Sequence, residues 1–268
     1  MTVINPRDTD PRDIDVTQRT VPRWGGFNLT VLSIELKRVL RNRRTVIFTL
    51  ILPVAMLLAL SQQKESGETV GVGNVAAYIL VSMALYGAAL TAAAAGSGVA
   101  IERAQGWSRQ LRLTPLNPVS YISMKAIVAL VMSGLSIAAV NVVGWFQGVA
   151  KMPAEVWIEC AIVTLVCTLT FGALGLFVGY ALPGENTMQF LGPGLALLSF
   201  LGGVFIPLTE GSTVWHVAVF TPMYGVAEVA RSPLTQDLPW YALVNAIVWC
   251  VAFIGLAAWR MSKDTSRV

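Results

Sequence analysis

The residues best suited to nucleophilic chemistry are Ser136, in the string Gly134-Leu135-Ser136-Ile137-Ala138, and His216, the only histidine of the chain. A serine becomes a nucleophile when a base comes within hydrogen-bond reach. An intramembrane serine hydrolase would therefore need the fold to bring these two together. A lone serine between small residues serves helix packing far more often. Glu155 and Glu159 lie four residues apart and could share a helical face. They have no His or Cys partner that would make a metal site, and the dipole at a helix start favours a carboxylate there in any case. Glu159 could still meet a cationic substrate. None of the five lysines follows Gly-x-x-x-x-Gly or precedes Ser or Thr, so no phosphate-cradling loop is present. Any ATP used must be hydrolysed by another polypeptide.

The elements that would have to position these residues are apolar. Of 268 residues 55% are hydrophobic and 13% charged, about half the charge of an average soluble chain. Residues 1–44 hold 14 of the 34 charges, which leaves 20 for the last 224 residues. So few charges cannot cover a soluble surface, which excludes a water-soluble enzyme or nucleic-acid binder. The composition is that of an all-α integral membrane protein. Cys160, Cys167 and Cys250 sit inside apolar runs and give neither a disulfide framework nor a metal spacing. The first long apolar run starts only near Thr45, so no secretory signal is expected and the amino-terminal tail should stay uncleaved.

A bilayer span takes roughly 17–25 apolar residues. Six are expected, at 45–61, 74–101, 119–148, 156–182, 187–207 and 240–260. Sixteen Lys/Arg fall before the first span, between spans two and three, and after the last; the alternate loops carry three, Lys64, Lys151 and Arg231. This asymmetry predicts a multi-pass protein of the cell (plasma or inner) membrane with both termini cytoplasmic. Residues 1–23, with the near-repeat Pro6-Arg7-Asp8-Thr9-Asp10 and Pro11-Arg12-Asp13-Ile14-Asp15, read as a disordered cytoplasmic tail. Residues 24–44 read as an amphipathic surface helix, with Leu29, Leu32, Leu36, Val39 and Leu40 on one face and basic residues elsewhere. The six-span transmembrane core is expected over 45–262 and a short cytoplasmic tail over 263–268.

Within the spans, Gly87, Thr91 and Ala95, then Gly96-Ser97-Gly98, and in span four Gly172, Gly175 and Gly179, form rows of small residues. Such rows let helix backbones approach closely in lipid. Pro53 in span one and Pro193, within Gly192-Pro193-Gly194 of span five, interrupt the backbone ladder and are candidate hinges.

Two segments carry a resemblance. The loop Glu102-Arg103-Ala104-Gln105-Gly106-Trp107-Ser108-Arg109-Gln110-Leu111-Arg112-Leu113-Thr114-Pro115-Leu116, followed by Tyr121 and Lys125, resembles the Glu-Arg…Gly…Leu…Thr-Pro-Leu stretch of type-2 ABC exporter permeases. Phe200-Leu201-Gly202-Gly203-Val204-Phe205-Ile206-Pro207, then Trp215, Thr221-Pro222, Tyr224 and Arg231, is similar to that family's span-five end and outer re-entrant segment. The resemblance covers about residues 27–260 and looks most like permeases of the drug-resistance and nodulation-export kind. One departure is Leu208-Thr209-Glu210-Gly211-Ser212-Thr213-Val214, where the family usually has Leu-Pro before the tryptophan.

The resemblance implies a non-catalytic subunit with a cytoplasmic coupling helix. Glu102, Arg103, Gly106, Trp107, Arg109, Arg112, Thr114 and Pro115 would contact a separate ABC-type ATP-binding subunit. This chain would bind no cofactor itself, ATP and Mg belonging to the partner. A second permease chain, identical or paralogous, would complete the dimer. Tyr78, Met83 and Tyr86 in span two, Asn141 in span three, and Phe190, Phe200 and Phe205 in span five are the candidate lining of a substrate path. Such a lining suits a small amphipathic cargo, drug-like, lipid or natural product, moved outward by alternating access. Polysaccharide or other polymer export is the second transport reading. A serine hydrolase on Ser136 and His216 and a non-transporting scaffold or sensor are the readings from other classes.

Overall fold

The computed structural model describes residues 29–62, 67–106, 118–182 and 187–264. Helix α1 spans Leu29–Arg41 and α2 Arg43–Leu60, so Arg43 and Arg44 belong to the second helix rather than the first. A two-residue antiparallel pair, β1 (Thr69–Val70) and β2 (Gly73–Asn74), turns the chain into α3 (Val75–Ser97) and the short α4 (Val99–Ala104). Then come α5 (Pro118–Gln147), α6 (Ala154–Ala181), α7 (Thr187–Leu201), α8 (Thr213–Ala218), α9 (Pro222–Thr235) and α10 (Trp240–Asp264).

Four stretches among the described residues are long and apolar enough to cross a membrane: Val75–Ala104, Ser120–Gln147, Ala154–Ala181 and Trp240–Lys263. Thr49–Leu60 and Gln189–Leu201 are shorter apolar helices. The fifth apolar run was expected to reach 207. It stops at Leu201, because Gly203 takes a positive φ of 71° and Pro207 follows in chain that is not helical.

Helix α3 is the axis of the bundle. Nineteen of its 23 residues are buried, against α6, α5, α2 and α7. Its small residues permit this. A Cβ on Gly96 would lie 2.4 Å from the Gly172 carbonyl oxygen, and one on Gly175 would lie 2.2 Å from that of Ala93. The two glycine rows therefore meet each other within one chain, where tight packing replaces the absent hydrophobic drive. Elsewhere apolar side chains point outward, among them Ile158, Ile162 and Val166 on α6 and Ile247, Val251 and Ile254 on α10. Outward-facing aliphatic rows on long helices are what lipid requires.

The start of α3 is pinned by Asn74. Its side-chain oxygen accepts from the Ala77 amide at 3.0 Å and from the Lys151 amide at 2.9 Å, while its Nδ2 donates to the Val149 carbonyl at 2.9 Å. One N-cap thus ties α3 to the α5–α6 connection.

Candidate functional site

At the α4 end of the bundle, charge is buried. Glu102 is only 2% exposed and Lys125, which enters from the first turns of α5, is 4% exposed. The Lys125 ammonium donates to carboxylate oxygens of both Glu102 and Glu35. Tyr121, one turn before Lys125 on α5, donates its hydroxyl to the other Glu102 oxygen. From α1, Arg38 pairs with Glu102 and also bonds Glu35 three residues earlier, with Nε to Oε2 at 3.0 Å. Two acids and two bases balance. Burial works against the Arg38 charge, but Glu102 and Glu35 outweigh it and hold the guanidinium above its ordinary pKa.

Local sequence places each member. Glu35 and Arg38 are i and i+3 on α1, and Tyr121 and Lys125 are i and i+4 on α5, so each pair shares a helical face. The partly buried Leu32, Leu36 and Val39 pack against the core and turn the α1 charges toward α4. Three helices that are separate in the chain are thereby joined through one carboxylate. Losing one member of such a buried set leaves an unpaired charge, which costs about 3–5 kcal/mol.

The neighbouring Arg103 reaches the other way. Its Nη1 donates to the carbonyls of Tyr180 at 3.0 Å and Gly179 at 3.4 Å, and its guanidinium lies 5.6 Å from the Tyr180 ring centroid. A cation is favoured at these last carbonyls of α6. Gly106 then leaves the helix with φ 71°. Trp107, Arg109, Arg112, Thr114 and Pro115 lie outside the described residues.

A second polar site sits at the opposite end of α3, where Arg231 of α9 is 1% exposed. Its Nη1 donates to the Tyr78 hydroxyl and to the Gly203 carbonyl at 3.1 Å, its Nη2 to Glu228 at 3.0 Å, and its Nε to the Ala227 carbonyl at 3.1 Å. The guanidinium also stands 4.4 Å from the Tyr78 ring centroid. One arginine thus fastens α9 to α3 and to the turn that ends α7. The sequence marked Arg231 as a loop charge and as part of the outer-segment resemblance, without a partner for it. The cue to its burial was its place in Val226-Ala227-Glu228-Val229-Ala230-Arg231, an amphipathic run.

Helix α9 is held in turn by α10. Asn245 Nδ2 donates to the Val219 carbonyl at 2.7 Å, and Trp249 Nε1 to that of Phe220 at 3.0 Å. The Trp215 indole donates to the Tyr224 hydroxyl at 3.2 Å. The bonds from Asn245 and Trp249 satisfy the Val219 and Phe220 carbonyls where the helical pair α8–α9 turns.

The candidate path residues fall into two groups. Tyr78 is engaged by Arg231, while Met83 and Tyr86 are buried in the core, with Tyr86 edge-on to Phe205 at 4.9 Å. Phe190 and Phe200 are exposed on α7. Asn141 donates to the Ile137 carbonyl at 2.8 Å and lines an open groove between α5 and α6. Pro53 lies inside α2 and packs where a Gly87 Cβ would stand, 2.7 Å from its Cγ; Pro193 lies inside α7, flanked by glycines with open space above them.

Ser136 and His216 do not pair. Ser136 is buried beside Pro53 and Gly87, and its Oγ has no hydrogen-bond partner among the described residues. His216 lies on α8, with Nδ1 2.8 Å from the Ser212 carbonyl. A nucleophile–base contact is missing from this arrangement.

Comparison with known proteins agrees with the architecture. Residues 28–235 match the ABC-2 type transporter family. Over 234 residues the chain is 30% identical to YvfS of Bacillus subtilis (strain 168), a protein provisionally named a transport permease. The alignment covers 86% of this chain and 95% of that relative.

Proposed function

The chain belongs to the ABC-2 type transporter family and is a membrane subunit of an ABC transporter; on that premise we propose that it is an export permease driven by a separate ATP-binding subunit. Its cargo in this reading is a small amphipathic molecule, drug-like, lipid or natural product, and it works as a dimer with a second permease chain. The six apolar helices α2, α3–α4, α5, α6, α7 and α10 are the spans. Both termini and the Glu102 cluster face the cytoplasm, and the α8–α9 pair dips into the membrane from outside.

The observation that carries this reading is the buried cluster of Glu35, Arg38, Glu102, Tyr121 and Lys125. It holds Glu102, at the start of the proposed ATPase-coupling segment 102–116, to Tyr121 and Lys125 just after that segment, and joins both to α1. A push on the coupling helix would therefore reach α3 and α5 together instead of bending one loop. Arg103, bonded to the end of α6, passes the same displacement to the fourth span. The close glycine contacts of α3 and α6 let these helices shift as a packed pair. In this scheme Glu102 is a positioning residue, its carboxylate spent within the chain, and residues 107–115 make the direct ATPase contact. The candidate path follows the exposed α7 face, with Phe190 and Phe200, where a second chain would close it.

The test is co-purification of the full chain with an ABC-type ATP-binding subunit from the same organism, followed by ATP-turnover measurement in vesicles. The expected result is a stable complex whose turnover drops when Arg109→Glu is introduced. A chain that purifies alone, or a complex indifferent to Arg109→Glu, would overturn the assignment.

A further inference from the structure

A cavity of about 300 Å³ lies beside the ionic cluster, between α1, α2, the end of α3 and α4. It is far larger than the roughly 10–15 Å³ a single water needs. Its lining joins two chemistries. Arg38, Asn42 and Gln105 stand on the polar side, and Ala94, Val39 and Met132 supply apolar wall. The Arg38 side chain keeps 43% of its surface exposed even while it holds Glu35 and Glu102. A guanidinium carries five donors in a planar fork, the geometry that suits phosphate. Thr91 also lines the cavity, and its hydroxyl proton is already given to the Gly87 carbonyl at 2.6 Å. Its oxygen is thereby presented as an acceptor.

The position of the cavity names the source of its ligand. Helix α1 leaves Leu29, Ile34 and Leu40 exposed, while Leu32, Leu36 and Val39 pack against the bundle. Such a helix lies at the interface between lipid tails and water, so a cavity beneath it opens at headgroup depth. A phosphate there would meet Arg38 and the amides of Asn42 and Gln105, and a hydroxyl on the same headgroup would donate to Thr91.

We propose that this cavity binds the phosphoglycerol headgroup of an anionic lipid from the leaflet that carries α1. The site rests on the chain being a membrane subunit, and not on its being an exporter. General attraction of the basic α1 to anionic lipid is a different effect and depends on other residues. Lys37 and Arg41 contribute to that attraction and do not line the cavity.

The full chain is reconstituted in phosphatidylethanolamine vesicles containing a minority of phosphatidylglycerol, extracted in mild detergent, and its retained lipid counted by native mass spectrometry. The wild type is expected to keep one phosphatidylglycerol per chain. Ala94→Leu, which fills the cavity without altering charge, should retain about tenfold less by steric exclusion, and Arg38→Lys, which keeps the charge but loses the fork, should retain about tenfold less by loss of one charge-assisted contact. Lys37→Gln with Arg41→Gln should retain it as the wild type does. Wild-type retention in Ala94→Leu would overturn the site. An equal loss in the Lys37/Arg41 variant would assign the binding to the basic surface instead. Soluble glycerol phosphate is added to a second sample in phosphatidylethanolamine alone; tight binding of that ester without lipid retention would overturn the lipid source. No transport or ATP turnover enters the measurement, so failure here and failure of the export reading remain separate results.

Discussion

The two polar sites at opposite ends of the α3–α4 rod, Glu102 and Tyr78 being roughly 35 Å apart along it at 1.5 Å per residue, hold charge in different ways. Around Glu102, two acids and two bases neutralise one another, and the members come from α1, α4 and α5. Around Arg231, one cation is held by a single, more exposed carboxylate, and otherwise by a hydroxyl, carbonyls and an aromatic face. Both sites join helices far apart in sequence, but the first depends on charge balance. The second depends on the shape of the guanidinium, because only a planar fork reaches Tyr78, Gly203 and Glu228 together. A balanced cluster can be displaced as a unit, which fits an end that receives force. A fork locked on backbone carbonyls holds its three elements in one fixed geometry.

Breaking charge balance should cost most. Glu102→Ala leaves Lys125 and Arg38 without their shared acid and should destabilise the folded chain by about 3–5 kcal/mol, seen as lost yield or a lowered thermal midpoint in detergent. Next comes the shape test. Arg231→Lys keeps the charge yet should cost about 1–3 kcal/mol, since buried acceptors lose their donors, while Lys125→Arg should be milder; the reverse order of midpoints would dissolve the distinction between the sites. Arg103→Ala removes bonds to the end of α6 and should cost about 1 kcal/mol, read from the same midpoints. The smallest effect belongs to His216→Ala, expected within about 0.5 kcal/mol of wild type and without change in transport. Loss of a serine-probe reaction in that variant would instead revive a hydrolase.

Much of the architecture was legible because lipid imposes a simple demand. Six apolar runs stood out, and five of them ended near the expected residues. The glycine rows at 96–98 and 172–179 were visible as packing signals, but that they meet each other within one chain is seen only in the packed bundle. The turn at Gly202-Gly203 was harder to place, because the apolar run continues past it to Ile206. The ionic sites were legible only in part. Glu102, Tyr121 and Lys125 were marked by the resemblance, but their convergence with Glu35 and Arg38 depends on α1 folding back over 60 residues away. Arg231 was hidden for the same reason, its partner Tyr78 lying 153 residues earlier. Spacing rules reach about one helical turn, and these sites are made by tertiary packing.

The central claim is that the Glu102 cluster transmits force from the ATPase contact to the spans. Its most direct test is the ratio of a fluorescent amphipathic dye moved to ATP hydrolysed, in vesicles carrying the complete complex with Glu102→Gln. That variant keeps the hydrogen-bonding shape and removes the charge. The account predicts ATP turnover near wild type with transport per ATP reduced about tenfold, the scale of one lost charge-assisted interaction. An unchanged ratio in a fully assembled complex would contradict it.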